Sequence, residues 1–284
     1  MGTDRLAVRK TYKLFIGGAF PRSESGRSYE VRDGKGGFVA NAARASRKDV
    51  RDAVTAARKA FGGWSGRTPY NRGQILYRVA EMMEGRRGQF ADEVRAGGAG
   101  KAAAEAEVDA AIDRWVWYAG WADKVAAVAG AANPVAGPFF NFSTPEPTGV
   151  VGIVAPDSAL LGLVSVVAPV IVTGNTCVVV AAQPLAAITL AEVFATSDLP
   201  GGVVNILTGH REELAPWLAS HMDVNAIDLA GAPAELALSC AESAAENLKR
   251  VLRPAAAVDW TADPGTTRLT AFLETKTVWH PVGV

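Results

Sequence analysis

Val150-Val151-Gly152-Ile153-Val154 is five apolar residues in a row, and the alternation it begins decides the fold. Leu160 to Val172 is too long for a strand and reads as a buried helix. Cys177 to Val180 is again a short apolar strand, Ile188 to Ala195 a helix, Val203 to Leu207 a strand and Glu212 to Ser220 a helix. Ala226 to Leu229 and Ala234 to Asn247 repeat the alternation. Short strands that are apolar on both faces and alternate with helices predict a parallel sheet covered on both sides, an α/β fold.

Upstream the pattern is mostly helical. Tyr12 to Gly18 reads as a strand ending in a Gly17-Gly18 turn, with a second short strand near Ser28 to Val31. Ser46 is an N-cap, with Asp49 in the first turn and Val50, Ala53, Val54, Ala57 and Phe61 at helical spacing. Thr68-Pro69 opens a second helix whose apolar face runs from Ile75 to Phe90. A long helix is expected from about Lys101 to Val128. Its aromatics Trp115, Trp117, Tyr118 and Trp121 serve either the core or an interface. The Pro- and Gly-rich stretch from Ala129 to Thr148 reads as an extended excursion, a hairpin.

The bulk properties exclude several classes. Apolar residues make up 49% of 284 and the formal net charge is zero, so the chain is globular and is not built to bind nucleic acid or an anionic membrane surface. The longest apolar run, Val164 to Val172, is too short to span a bilayer. Met1 to Lys10 has no apolar signal core. Two cysteines are no disulfide framework, so the expected compartment is the cytoplasm. Cys177 lies in an apolar strand and Cys240 in an alanine-rich helix, without a local activating histidine, and both read as small core residues. His210, His221 and His280 show no metal-ligand spacing. Gly97-Gly98-Ala99-Gly100-Lys101 lacks the spacing of a phosphate loop and reads as a turn before the long helix.

Several stretches are more specific. They are Leu14 to Gly18, Ala56 to Phe61 with Trp64, Glu146 to Pro156, Gly174-Asn175-Thr176, Leu199 to Asn205, and the closing Thr275-Lys276-Thr277-Val278-Trp279. In them the chain resembles aldehyde dehydrogenases over nearly its whole length. The resemblance implies a Rossmann-like cofactor-type domain in residues 1–130 and 149–256, and an oligomerisation flap in 131–148 and 268–284. Residues 257–267 become a linker where the family has its catalytic domain.

The family's functional positions are changed one after another. Its Trp-Asn after Ala155-Pro156, whose amide donates to the oxyanion, is Asp157-Ser158 here. Its ribose-binding Lys-Pro-Ser-Glu is Val180-Ala181-Ala182-Gln183. Its Phe-Thr-Gly-Ser phosphate turn is Leu229-Ala230-Gly231-Ala232, and a helix glycine beyond it is Leu236. The general-base glutamate after Asn247-Leu248-Lys249-Arg250 reads Pro254, the paired glycines read Ala256 and Ala257, and no nucleophile domain fits before the closing strand. Ser158 and Pro254 are thus degenerate catalytic positions. Asp157, Val180, Gly231, Ala232 and Leu236 are vestigial cofactor positions, and no metal is implied.

The pattern is similar to the shortened, non-catalytic C-terminal half of family-16 aldehyde dehydrogenases. It implies a pseudoenzyme subunit assembling through its flap with a catalytic aldehyde dehydrogenase, with itself, or with both. No cofactor is expected beyond weak NAD(P) binding. A second reading is a nucleotide-binding regulator, since helix N-termini at a parallel sheet's carboxyl edge attract anions. A third, an NAD(P)-dependent aldehyde dehydrogenase oxidising aldehydes to acids, requires a thiolate, a base and an oxyanion donor that this sequence lacks.

Overall fold

A computed structural model describes residues 9–253 and 258–283. In chain order the elements are β1 Thr11–Tyr12, β2 Ser28–Arg32, β3 Phe38–Ala43, α1 Arg47–Ser65, α2 Pro69–Glu84, α3 Arg87–Ala96, α4 Lys101–Trp121 and α5 Val125–Ala129. They continue with β4 Ala131–Asn133, β5 Phe139–Pro147, β6 Val150–Val154, α6 Leu161–Val172, β7 Thr176–Ala181, α7 Pro184–Phe194, β8 Val204–Thr208 and α8 Arg211–Ser220. The last are β9 Ala226–Asp228, α9 Ala234–Ala245, β10 Arg250–Leu252, α10 Thr267–Thr270 and β11 Leu273–Pro281.

The expected parallel sheet is present, in the order β10-β9-β6-β7-β8. Period-2 alternation divides its side chains. Val151, Ile153, Cys177, Val179 and Ile206 face α2–α4, α6 and α7, whereas Val150, Val154, Val178, Leu207 and Ile227 face α1, α8 and α9. Both faces are therefore covered, which is why the strands carry no polar alternation. The switch in strand order falls between β6 and β9, the position where an open α/β sheet forms a crevice at its carboxyl ends.

Helix α6 is the centre of this packing, and all twelve of its residues are buried. A helix end inside a core must place its free carbonyls. Trp64 Nε1 donates to Ile171 O at 2.8 Å, Arg72 Nε to Val172 O at 2.9 Å, and Thr173 Oγ1 to Val170 O at 2.9 Å. The buried Arg72 guanidinium also donates to Ser65 O and Arg67 O, so it joins the carboxyl ends of two helices, where a cation is favoured.

At α1 Ser46 and Asp49 form the expected cap, as a capping box, and α2 has Thr68 as cap and Pro69 in its first turn. Elsewhere the structure differs from the sequence pattern. The apolar face that predicts one helix from Ile75 to Phe90 is broken at Gly85-Arg86 into α2 and α3, and the long helix stops at Trp121. Strands β3 and β10 have no counterpart in the pattern, because Phe38–Ala43 and Arg250–Leu252 are short and contain polar residues.

The flap is the antiparallel sheet β11-β5-β4. The closing segment forms β11, which pairs with β5 of its own chain along Leu273–Pro281. Its alternation is weak because a projecting two-sided strand carries polar residues on both faces. Lys276–Glu146 (2.9 Å) and Ser143–Thr277 (2.9 Å) cross-strand pairs fix its register.

Residues 258–267 are mostly exposed, and burial begins beyond them. Leu269 and Phe272 are 2% exposed and belong to the main core, so the flap strand proper begins at Leu273. Arg114 of α4 donates to Trp260 O (2.9 Å) and Ala262 O (3.0 Å), and Asn175 Nδ2 to Phe272 O (3.0 Å).

Candidate functional site

The carboxyl end of the parallel sheet is the place where this architecture binds ligands. Four loops meet there: 155–160 after β6, 182–183 after β7, 209–210 after β8, and 229–233 after β9.

Ser158 is fully committed. Its hydroxyl donates to Glu107 Oε1 at 2.9 Å and accepts from the Gly162 N–H at 2.9 Å. The same Glu107 oxygen accepts from Leu160 N–H (2.9 Å) and Leu161 N–H (3.1 Å). A carboxylate from α4 thus occupies the positive N-terminus of α6, which has no side-chain cap bond from its own N-cap residue Leu160. With its proton given to Glu107, Ser158 has none to offer an oxyanion.

Asp157 and Gly231 lie on opposite sides of the crevice, and Arg211 joins them. One of its guanidinium nitrogens pairs with the Asp157 carboxylate and another donates to the Gly231 carbonyl. Gly231 is required by packing. A Cβ there would collide with Ala155 O, and its N–H donates to Val154 O at 2.9 Å. Val180 is buried in the core beneath the crevice, where an apolar residue is at home and a ribose-binding amine would not be. Ala232 and Leu236 are partly buried against the same cluster. The cavity left beside Tyr29, Ala155, Val180, His210 and Arg211 is about 240 Å³. That is smaller than the roughly 300–1,000 Å³ of ordinary ligand pockets.

Beneath the crevice, Asp228 ends β9 fully buried. Its carboxylate accepts from the Ala230 N–H at 3.0 Å and pairs with Arg268 of α10. Burial pushes this carboxyl above the usual range, against the pull of Arg268. The Arg268 guanidinium also lies over the Trp260 ring, 5.1 Å from its centroid. Nearby, desolvation pushes the Tyr118 hydroxyl up to about 12.

Both thiols are buried. Burial raises the Cys177 thiol far above its ordinary value and pushes Cys240 up to about 11, the opposite of what an attacking thiolate needs. Pro254 lies outside the described residues. Among the described residues no group of three or more His, Cys, Asp or Glu could hold a metal, and no helix is long and apolar enough to cross a membrane.

Asp157, Ser158, Val180, Gly231 and Ala232 lie in or beside the loops at the carboxyl end of the sheet. The residues that occupy it, Glu107, Arg211 and Arg268, carry no motif that marks them in the sequence. One signal is present. Glu107, Ala111, Arg114 and Tyr118 share a helical face at spacings of four and three, so two charges lie on a stripe otherwise apolar.

Comparison with known proteins agrees with this architecture. The family model described as "Aldehyde dehydrogenase family" matches residues 21–254. The chain is 34% identical over 249 residues to cytosolic aldehyde dehydrogenase 1 of Elephantulus edwardii, covering 84% of this chain and 49% of that protein. It is 34% identical over 263 residues to the cytosolic 10-formyltetrahydrofolate dehydrogenase of Xenopus laevis, covering 87% of this chain and 28% of that one. The solved NAD+ complex of an aldehyde dehydrogenase from Bacillus cereus superposes with a TM-score of 0.80 at 26% identity, over 85% of this chain and 50% of the other. The chain thus spans about half the length of the aldehyde dehydrogenases it matches.

Proposed function

This chain belongs to the aldehyde dehydrogenase family, and from that premise we propose that it is a non-catalytic member, a pseudoenzyme subunit that works by assembly. The observation that carries the proposal is the self-occupied crevice. Arg211 bridges Asp157 and Gly231, and Glu107 takes the N-terminus of α6 together with the Ser158 hydroxyl.

The Bacillus cereus relative is an NAD+ complex, so the fit of a dinucleotide to this crevice is the decisive test. The residues here do not fit one. Val180 offers no charge, Ala232 offers no hydroxyl, and Arg211 is already paired with Asp157 and the Gly231 carbonyl. The buried thiols leave nothing to attack an aldehyde, and covalent aldehyde oxidation needs an activated nucleophile. What the chain keeps is the flap, and the proposed partner is a catalytic aldehyde dehydrogenase, a second copy, or both.

A regulator that binds a nucleotide without chemistry is the second reading. The uncapped N-terminus of α9, whose N-cap residue Pro233 makes no side-chain cap bond, favours it. Calorimetric titration with NAD and NADP, and NADH formation on a panel of aldehydes, separate the readings. No turnover and no affinity tighter than millimolar are expected. Turnover abolished by Cys177→Ala or Cys240→Ala defeats the pseudoenzyme reading, and micromolar affinity without turnover transfers the conclusion to the regulator.

A further inference from the structure

Helices α1 and α8 pack side by side on one face of the parallel sheet and leave a surface cleft of about 610 Å³ between them. That lies within the roughly 300–1,000 Å³ of small-molecule sites. The cleft sits at the carboxyl end of α8, where the chain turns back toward the start of β9, so it is at the opposite end of the sheet from the crevice. We propose that this cleft binds a small amphipathic carboxylate, one carboxyl group on an apolar body. The inference does not rest on the non-catalytic reading.

The two helix periodicities build the cleft. On α1, Val50, Ala53, Val54 and Ala57 turn into the core, which leaves Arg47 and Arg51, four residues apart, on the outward side. On α8, Leu214, Ala215, Leu218 and Ala219 take the buried face. Trp217 falls off that face and is 40% exposed, and Met222, just past the helix end, is 77% exposed. Trp217 and Met222 are thus large apolar side chains that line the cleft beside Arg47 and Arg51.

The polar groups of the cleft select the ligand. Lys48 is paired with Glu24 at 3.2 Å and Arg51 with Asp52 at 2.8 Å. Arg47 makes no ion pair among the described residues, and its guanidinium lies over the Trp217 ring, 4.1 Å from the centroid. A guanidinium held on a ring face keeps its N–H edge for a carboxylate fork. His221 Nδ1 accepts from the Asp223 N–H at 3.2 Å, so the neutral ring carries its proton on Nε2, a second donor. No lining residue is acidic. A cationic ligand would meet Arg47 and Lys48, and a neutral one would cover Arg47 without giving it an acceptor. A bare anion would leave Trp217 and Met222 uncovered. An apolar body with one carboxylate satisfies both sets of groups.

The test uses the full chain, with octanoate as the probe and octan-1-ol as the same body without the charge. Calorimetry is expected to find one octanoate per chain with a Kd of about 0.1–1 mM, and octanol weaker by about ten-fold or more. Arg47→Gln should weaken octanoate about ten-fold and leave octanol unchanged. Arg47→Lys should recover only part of the loss, because an ammonium lacks the fork. Lys59→Gln removes an exposed cation elsewhere on α1 and should change nothing. Arg47 is exposed too, so unchanged far-ultraviolet circular dichroism is expected of each variant. Nuclear magnetic resonance then locates the site. Of the seven tryptophan indole signals, the one missing in Trp217→Phe should be the one that octanoate shifts most. No binding at about 10 mM, octanol as tight as octanoate, an unchanged Kd in Arg47→Gln, an equal loss in Lys59→Gln, or the largest shift at another indole overturns the inference. None of these results bears on turnover or on NAD affinity, so the inference can fail while the non-catalytic reading stands.

Discussion

The crevice and the flap treat polar groups in opposite ways. At the crevice, Glu107, Ser158, Asp157, Arg211, Asp228 and Arg268 are paired with one another or with backbone. At the flap, a nine-residue strand keeps one row of backbone groups turned outward, and Phe139, Phe140 and Trp279 are exposed at its tip. A surface that binds a ligand keeps donors free until the ligand arrives, while a surface that has stopped binding must satisfy its own. At the ligand end of the sheet the charged side chains are paired within the chain, whereas along β11 one row of backbone groups has no strand beside it among the described residues.

The sharpest way to break this contrast is at Arg268. Arg268→Ala leaves Asp228 buried without its cation, and should cost about 3 kcal/mol in urea unfolding. Arg268→Met combined with Asp228→Asn should recover most of the loss. Recovery in the double variant distinguishes an uncompensated charge from a simple loss of packing. An Arg268→Ala chain as stable as the parent would mean that Arg268 does not compensate the buried Asp228 carboxylate.

Glu107→Ala comes next. It strips the N-terminus of α6 of its carboxylate and Ser158 of its acceptor, for an expected loss of about 1–2 kcal/mol. The same variant sharpens the functional side of the contrast. If the self-occupied crevice alone prevents binding, NAD affinity should rise in Glu107→Ala combined with Arg211→Ala. If Val180 and Ala232 also matter, calorimetry should detect no gain.

The smallest effect belongs to the flap. Lys276→Ala removes an exposed pair with Glu146, and should change unfolding by no more than about 0.5 kcal/mol, measured at low protein concentration so that association does not contribute. A cost as large as at Arg268 would erase the distinction between the two regions.

The fold is largely legible in the sequence because it is written in local terms. Val150–Val154 and Thr176–Ala181 are apolar throughout, and only a sheet covered on both faces explains that. The flap is legible in part. Its prolines and glycines mark the excursion, but the pairing of Thr277 with Ser143 spans 134 residues and leaves no local trace. The crevice is legible as a set of positions but not as a set of contacts. Glu107 acts on Ser158 from 51 residues away, Arg211 on Asp157 from 54, and Arg268 on Asp228 from 40. A charge on an apolar stripe announces that a partner exists, and only the folded chain identifies it.

Arg250 of β10 grips Glu274 of β11 with two bonds, Nε at 2.7 Å and Nη2 at 2.6 Å. The edge strand of the parallel sheet and the edge strand of the flap thus lie side by side, whatever length of chain runs between them. In a carpenter's terms this is a socket. Chain inserted between Arg250 and Glu274 leaves and re-enters at neighbouring points, so its length can change without rethreading either sheet.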